Sequence, residues 1–117
     1  MRLAILIPTR NRPGYLRRVL HYYQRLHFQH LIVIADSSSH PMDEENRTIA
    51  STFGKSLSVR YERYEATIHP YPKIAQGLDT MNEEYAAICG DDDFLVPTAL
   101  EAGAAFLESH PDYSVVH

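Results

Sequence analysis

The sequence predicts an α/β fold, a mostly parallel open sheet with helices on both faces, and three observations carry that expectation. Short aliphatic runs such as "RLAILIP" (Arg2 to Pro8) and "LIVIA" (Leu31 to Ala35) read as strands buried on both faces. Stretches with the spacing of amphipathic helices separate them. Strand and helix alternate along the chain, which implies βαβ units with right-handed crossovers. With 117 residues, 44% of them apolar and 22% charged, the chain suits one globular domain over residues 1–117, large enough to bury a core, and a disordered chain is excluded.

Each element has its own signal. Pro8 stops the first strand, "TRNRP" forms a loop, and Pro13 suits the first turn of a helix. From Pro13 to His27, Leu16, Val19, Leu20, Tyr23 and Leu26 recur at three and four residues, the clearest helical stripe in the chain. "LIVIA" then runs into the polar turn "DSSSHP", where Ser39 is the candidate cap for a helix starting at Pro41. Asp43, Glu44 and Glu45 in that first turn favour the positive end of the helix dipole. "LSVRYER" (Leu57 to Arg63) alternates as a half-covered or edge strand does. Ile74, Leu78 and Met81 restore a helical period over 71–83, and "EYAAIC" is a third run of the buried-strand type. Pro97 opens a helix through Leu100, Ala104 and Leu107, and "HPDYSVV" is expected to form a turn and a short terminal strand.

In open sheets of this kind, ligands bind beyond the carboxyl ends of the strands, at the point where strand order reverses. Three polar clusters stand at such ends: Thr9 to Arg12, Asp36 to Ser39, and Asp91 to Asp93. The last is the sharpest. Three adjacent carboxylates repel one another, and the cost is offset only by full solvation or by something positive. A solvated turn or a helix cap at Asp93 would satisfy the first option. A divalent metal would satisfy the second, since carboxylates without histidine or cysteine neighbours suit Mg²⁺ or Mn²⁺, which typically bridge them to substrate phosphates. Asp36 likewise either caps its serine turn or accepts hydrogen bonds from a base or ribose.

Other patterns carry less. Charge is lopsided: residues 1 to 35 hold six arginines and no acid, while residues 36 to 117 hold five bases and fifteen acids, +6 against −10. Arg17, Arg18 and Arg25 fall on the polar side of a helix, so nucleic-acid binding is not expected, and only Arg10 and Arg12 sit where a ligand would be. The "GKS" of Gly54 to Ser56 lacks the earlier glycine of a phosphate loop. His27 and His30 have metal-like spacing but no matching pair, and Cys89 reads as a small buried hydrophobe. Asn46-Arg47-Thr48 matches a glycosylation sequon, and no G-x-S-x-G or G-x-G-x-x-G motif occurs. The apolar start of the chain is too short for a secretory signal, so a soluble cytoplasmic protein is expected.

Over nearly its whole length the chain resembles the N-terminal, nucleotide-sugar-binding half of family-two glycosyltransferases with the Rossmann-like GT-A fold. The stretches "ILIPTRNRPGYLRRVL", "LIVIADSSS" and "EEYAAICGDDDFLVPTALEAGAAFLESHPD" carry the likeness, through Pro8, Thr9, Asn11, Asp36, Gly77, Glu84-Tyr85, the aspartates, Pro97 and "HPD" at His110 to Asp112. The resemblance implies a donor nucleoside-diphosphate sugar, a UDP-sugar first of all, held with Mn²⁺ or Mg²⁺. It implies that Thr9, Arg10 and Asp36 line the base pocket with Asn11 in the same loop, that Asp91 faces the ribose, and that Lys73 contacts phosphate. Counting back from Pro97, the first aspartate of a strict D-x-D falls on Gly90, so the metal would rest on Asp92 with help from Asp91 or Asp93. Arg10 stands where relatives carry an aromatic residue, and its guanidinium plane can stack in a similar way. The acceptor-binding half with the catalytic base would be missing, the acceptor is unspecified, and peripheral membrane contact stays open. Alternatives are a non-catalytic domain of the same fold, or a phosphoacceptor receiver domain, which would need an acidic pair where this chain has Thr9-Arg10-Asn11-Arg12.

Overall fold

A computed structural model describes residues 2–117. The elements run β1 (Leu3–Thr9), α1 (Pro13–Arg25), β2 (Leu31–Asp36), α2 (Met42–Phe53), β3 (Val59–Arg63), α3 (Pro70–Asp79), β4 (Tyr85–Ile88) and α4 (Pro97–Ser109). The four strands form one sheet in the order β3-β2-β1-β4, and every neighbouring pair is parallel. The α/β expectation therefore stands, with the order reversing between β1 and β4.

Alternation along the central strands divides the core in two, because successive side chains of a strand point to opposite faces. Ile5, Ile7, Ile32 and Ile34 meet Leu16, Val19, Leu20 and Tyr23 of α1 and Ile49 and Ala50 of α2 on one face, with Leu100 of α4 at its margin. Leu6, Val33 and Ala35 meet Ile74 and Leu78 of α3 and Met81 on the other. Gly77 lets α3 lie close, since a Cβ there would stand 3.0 Å from Leu6 Cδ1. No helix among the described residues is long and apolar enough to cross a membrane.

Four local expectations need correction. "EYAAIC" is an edge strand rather than a strand buried on both faces: α3 covers β1 and β2 but not β4, so Ala86 and Ile88 are exposed, Ile88 by 50%. "HPDYSVV" forms no strand; it turns back against α4, where Tyr113 meets Phe106 edge to face and Val116 approaches Gly103. Ser39 serves α2 through its backbone, its carbonyl accepting from Met42 N at 2.9 Å and Asp43 N at 3.3 Å, so the helix begins at Met42. The helix expected over 71–83 is Pro70–Asp79, started by His69, whose Nδ1 accepts from Tyr71 N at 3.2 Å.

Candidate functional site

Parallel register builds the site. Thr9 lies opposite Asp36 across the β1–β2 ladder, and the β1–β4 register pairs Leu6 with Ile88, so the chain three residues further on brings Asp91 beside Thr9. Thr9 Oγ1 donates to Asp91 Oδ2 at 2.8 Å, and both residues are buried. The ends of three strands thus meet in the row Asp36, Thr9, Asp91 at the point where strand order reverses.

The loop after β1 is stitched to the loop after β2. Asn11 adopts φ 56°, a left-handed conformation that asparagine tolerates better than most residues. Its backbone N–H donates to Ser38 Oγ at 2.8 Å, and its Oδ1 accepts from Ser39 N at 2.7 Å. These two bonds tie the loops to each other.

Asp36 is fully buried, and its carboxylate accepts four hydrogen bonds. Oδ1 accepts from Ser38 N (2.9 Å), Ser38 Oγ (2.5 Å) and Asn46 Nδ2 (3.2 Å), while Oδ2 accepts from the Tyr61 hydroxyl (2.5 Å). Burial, and then this carboxylate, push the Tyr61 phenol pKa upward. Asp36 thus faces protein donors at both oxygens. Asn46, noted in the sequence as a sequon, is wholly buried as a strut of this network.

Lys73 is also buried, and its Nζ donates to Thr9 O at 3.0 Å and Ser37 Oγ at 2.7 Å. Burial lowers its pKa first of all, against the opposing pull of Asp36 and Asp91. The ammonium clamps the ends of β1 and β2 from beneath and does not project into solvent. Arg10, in contrast, is exposed, its Nε donating to Ala66 O at 3.0 Å on the loop after β3. A hollow of about 490 Å³ lined by Arg63, Tyr64, Glu65, Ile68 and Gln76 adjoins that loop.

The three aspartates are not equivalent. Asp91 is buried, whereas Asp92 and Asp93 are exposed. Among the described residues no three histidine, cysteine or acidic side chains converge to hold a metal ion, so Asp91, Asp92 and Asp93 do not form a ready cage. One positive group already lies between two of them: Arg12 Nη1 is 3.4 Å from Asp91 Oδ1, and Nη2 is 3.6 Å from Asp92 Oδ2. Two carboxylates sharing a cation suit Mg²⁺ or Mn²⁺, which takes one or two carboxylates and completes its shell with phosphate and water. Gly90 leaves room for this turn, because a Cβ there would stand 3.1 Å from both Asp92 Oδ1 and Asp93 Oδ2.

The structure brings together Thr9, Asn11, Asp36, Lys73 and Asp91, and leaves Arg10, Asp92 and Asp93 on the open rim. Asn46 and Tyr61 are the participants that the sequence did not mark, and Arg12, placed with Arg10 where a ligand would be, had no role assigned. For Arg12 the signal was its place in the loop after the first strand; for Asn46 and Tyr61 no local pattern pointed to Asp36.

Comparison with known proteins follows the same lines. No curated protein sequence matches the chain. Among solved structures, residues 1–349 of TarS from S. aureus superpose with a TM-score of 0.76 at 18% identity, over 95% of this chain and 33% of that one. The same fragment in complex with UDP-GlcNAc gives 0.74 at 18% identity, over 95% and 32%. Longer TarS gives 0.72 at 18% identity, over 95% and 20%. This chain thus spans a third or less of the structures it resembles, and the likeness establishes the GT-A type of fold. The sequence model that describes glycosyl transferase family 2 matches residues 4–117, from the first buried strand to the end of the chain, and the protein belongs to that family.

Proposed function

We propose that this chain binds the donor of a metal-dependent glycosyltransferase, a nucleoside-diphosphate sugar of the UDP type, above the carboxyl ends of β1, β2 and β4. The observation that carries the reading is the acidic turn at the strand-order reversal, with Asp91 fixed by Thr9 and paired with Asp92 around one cation, Arg12. Family membership, and a similar fold in TarS, whose complex holds UDP-GlcNAc, support the donor class.

Asp92 is the principal ligand for Mn²⁺ or Mg²⁺, Asp91 the buried partner that faces the ribose side, and Asp93 the residue that orients the turn. The bound ion would neutralise charge on the departing nucleoside diphosphate as an acceptor attacks the anomeric carbon. Thr9 holds the Asp91 carboxylate in one orientation, which removes the entropy of ordering it when the donor arrives. Arg10 offers its guanidinium plane to the base, and Asn11 fixes the loop that carries it. Asp36 shapes the base side through the serine turn it organises. Lys73 acts from below, setting the distance between β1 and β2 rather than touching phosphate. The acceptor and the catalytic base are not assigned to residues of this chain.

Calorimetry with UDP tests the reading. Binding is expected with Mn²⁺ or Mg²⁺ and lost in Asp92→Ala; equal affinity with a chelator present would remove the metal from the site.

A further inference from the structure

Arg12 acts through both its backbone and its side chain. Its backbone starts α1: its carbonyl accepts from Tyr15 N and Leu16 N, each at 3.1 Å. Its side chain turns back over the acidic loop, the guanidinium carbon 4.1 Å from the centre of the Tyr15 ring. The two contacts to Asp91 and Asp92, 3.4 and 3.6 Å, are longer than charge-assisted hydrogen bonds of roughly 2.7–2.9 Å. The Arg12 side chain is 41% exposed, and that of Asp92 53%. It is a cation held by charge and by a ring face, with no close hydrogen bond to either carboxylate.

The oxygens it faces are the ones a metal needs. Asp91 Oδ2 accepts from the Thr9 hydroxyl, Oδ1 accepts no hydrogen bond from the described residues, and Oδ1 is the atom that Arg12 approaches. A divalent ion shared by Asp92 and this Oδ1 would meet the positive charge of the guanidinium there. We infer that Arg12 is a built-in counter-ion that competes with the divalent metal for Asp91 and Asp92 and yields its place when a diphosphate arrives to receive its charge. This rests on the metal-dependent donor reading above.

The physical case is electrostatic. Metal alone meets a positive charge with no new partner to go to, and diphosphate alone meets two carboxylates. Together, each anion gains a cation: the carboxylates take the metal, and the diphosphate takes the planar fork of Arg12, whose geometry suits phosphate oxygens. The Tyr15 ring can keep the guanidinium near the site during the exchange. Metal and nucleotide then bind cooperatively, and the coupling is reciprocal. Without the exchange partner, an acidic turn at this position would gather divalent ions in the absence of donor.

Mn²⁺ binding read by electron paramagnetic resonance, with and without UDP, tests this on the wild type, Arg12→Gln and Arg12→Lys, with helix content checked by circular dichroism. The wild type is expected to bind Mn²⁺ weakly alone and more tightly with UDP. Arg12→Gln should bind Mn²⁺ alone about tenfold more tightly, equivalent to about 1.4 kcal/mol, and gain less from UDP. Arg12→Lys keeps the charge and should stay as weak as the wild type. Unchanged or weaker Mn²⁺ binding by Arg12→Gln would overturn the inference, as would an Arg12→Lys that behaves like Arg12→Gln, since packing rather than charge would then be the cause. If the wild type with UDP binds no Mn²⁺ at all, the metal-dependent reading falls and this inference with it. Mn²⁺–UDP binding to the wild type with no gain in Arg12→Gln removes only the counter-ion role.

Discussion

Replacing Asp36 by alanine removes the acceptor for four donors in a site with no solvent. Their fates differ. The Ser38 N–H and the Ser38 hydroxyl have no other acceptor among the described contacts, and a buried donor left unpaired costs about 1–3 kcal/mol, which relief of the carboxylate's own desolvation offsets in part. The Tyr61 hydroxyl retains only Asp43 O, at 3.3 Å, and Asn46 Nδ2 retains Ser38 Oγ at 3.0 Å. Each loses a charge-assisted bond and keeps a neutral one, at roughly 1 kcal/mol apiece. Asp36→Ala is therefore expected to destabilise the protein by about 3–5 kcal/mol, a large share of the roughly 5–15 kcal/mol typical of a domain.

Asp36→Asn separates the loss of partners from the loss of charge. The amide oxygen can keep the donors at Oδ1, and its NH₂ can donate to the Tyr61 oxygen, whose proton turns to Asp43 O. Removing a buried charge also relieves its desolvation cost. The expected cost is about 1–2 kcal/mol. Urea unfolding followed by far-ultraviolet circular dichroism measures both, since the chain has no tryptophan to report by fluorescence. An alanine variant within about 1 kcal/mol of the wild type, or an asparagine variant as unstable as the alanine one, would refute the scaffolding account of Asp36.

Other consequences follow from the same coordinates. Gly77→Val should cost about 2–3 kcal/mol by driving its side chain into Leu6, whereas in Gly77→Ala a helix-propensity gain of about 1 kcal/mol works against the 3.0 Å approach; thermal melts that rank the two alike would contradict this packing. Burial raises the phenol pKa of Tyr23 and Tyr61 above the ordinary 10.0 and pushes Tyr64 up to about 12. The unfolded chain releases these protons first, so their contribution is complete below pH 10 and erodes above it, that of Tyr64 being lost as pH rises through about 12. Lys73 runs the other way, because its lowered pKa makes burial less costly as pH approaches 10.5. The urea midpoint should fall between pH 10 and 12 despite Lys73, and the fall should be shallower in Tyr64→Phe; a flat midpoint, or an equally steep fall in that variant, would count against buried phenols as its cause.

The first two strands, the first helix and the acidic turn were legible because their information is local. A buried strand announces itself by an unbroken aliphatic run, and a helix by the spacing of Leu16, Val19, Leu20 and Tyr23. The same local view misjudged "EYAAIC": a run of small and aliphatic residues says that a strand forms, but coverage depends on where the neighbouring helix lies. It also gave Ser39 the side-chain cap that its carbonyl supplies instead.

What the residues by themselves determined is the inventory, namely alternating strands and helices with Thr9, Asp36 and Asp91 to Asp93 at strand ends. What tertiary structure decided is which of them meet and in what state. Thr9 and Asp91 are 82 positions apart and touch because parallel register carries β1 and β4 forward in step. Lys73 was read as a candidate phosphate contact and Asp36 as either a turn cap or a ligand contact, and packing gives both their protein partners. Arg12 stood with Arg10 in the loop where a ligand was expected, and the turn after β4 supplies the carboxylates that it faces. Periodicity records which face of an element is apolar, but the partner of a charge is set by the sheet, which brings distant stretches of chain within a few ångströms of each other.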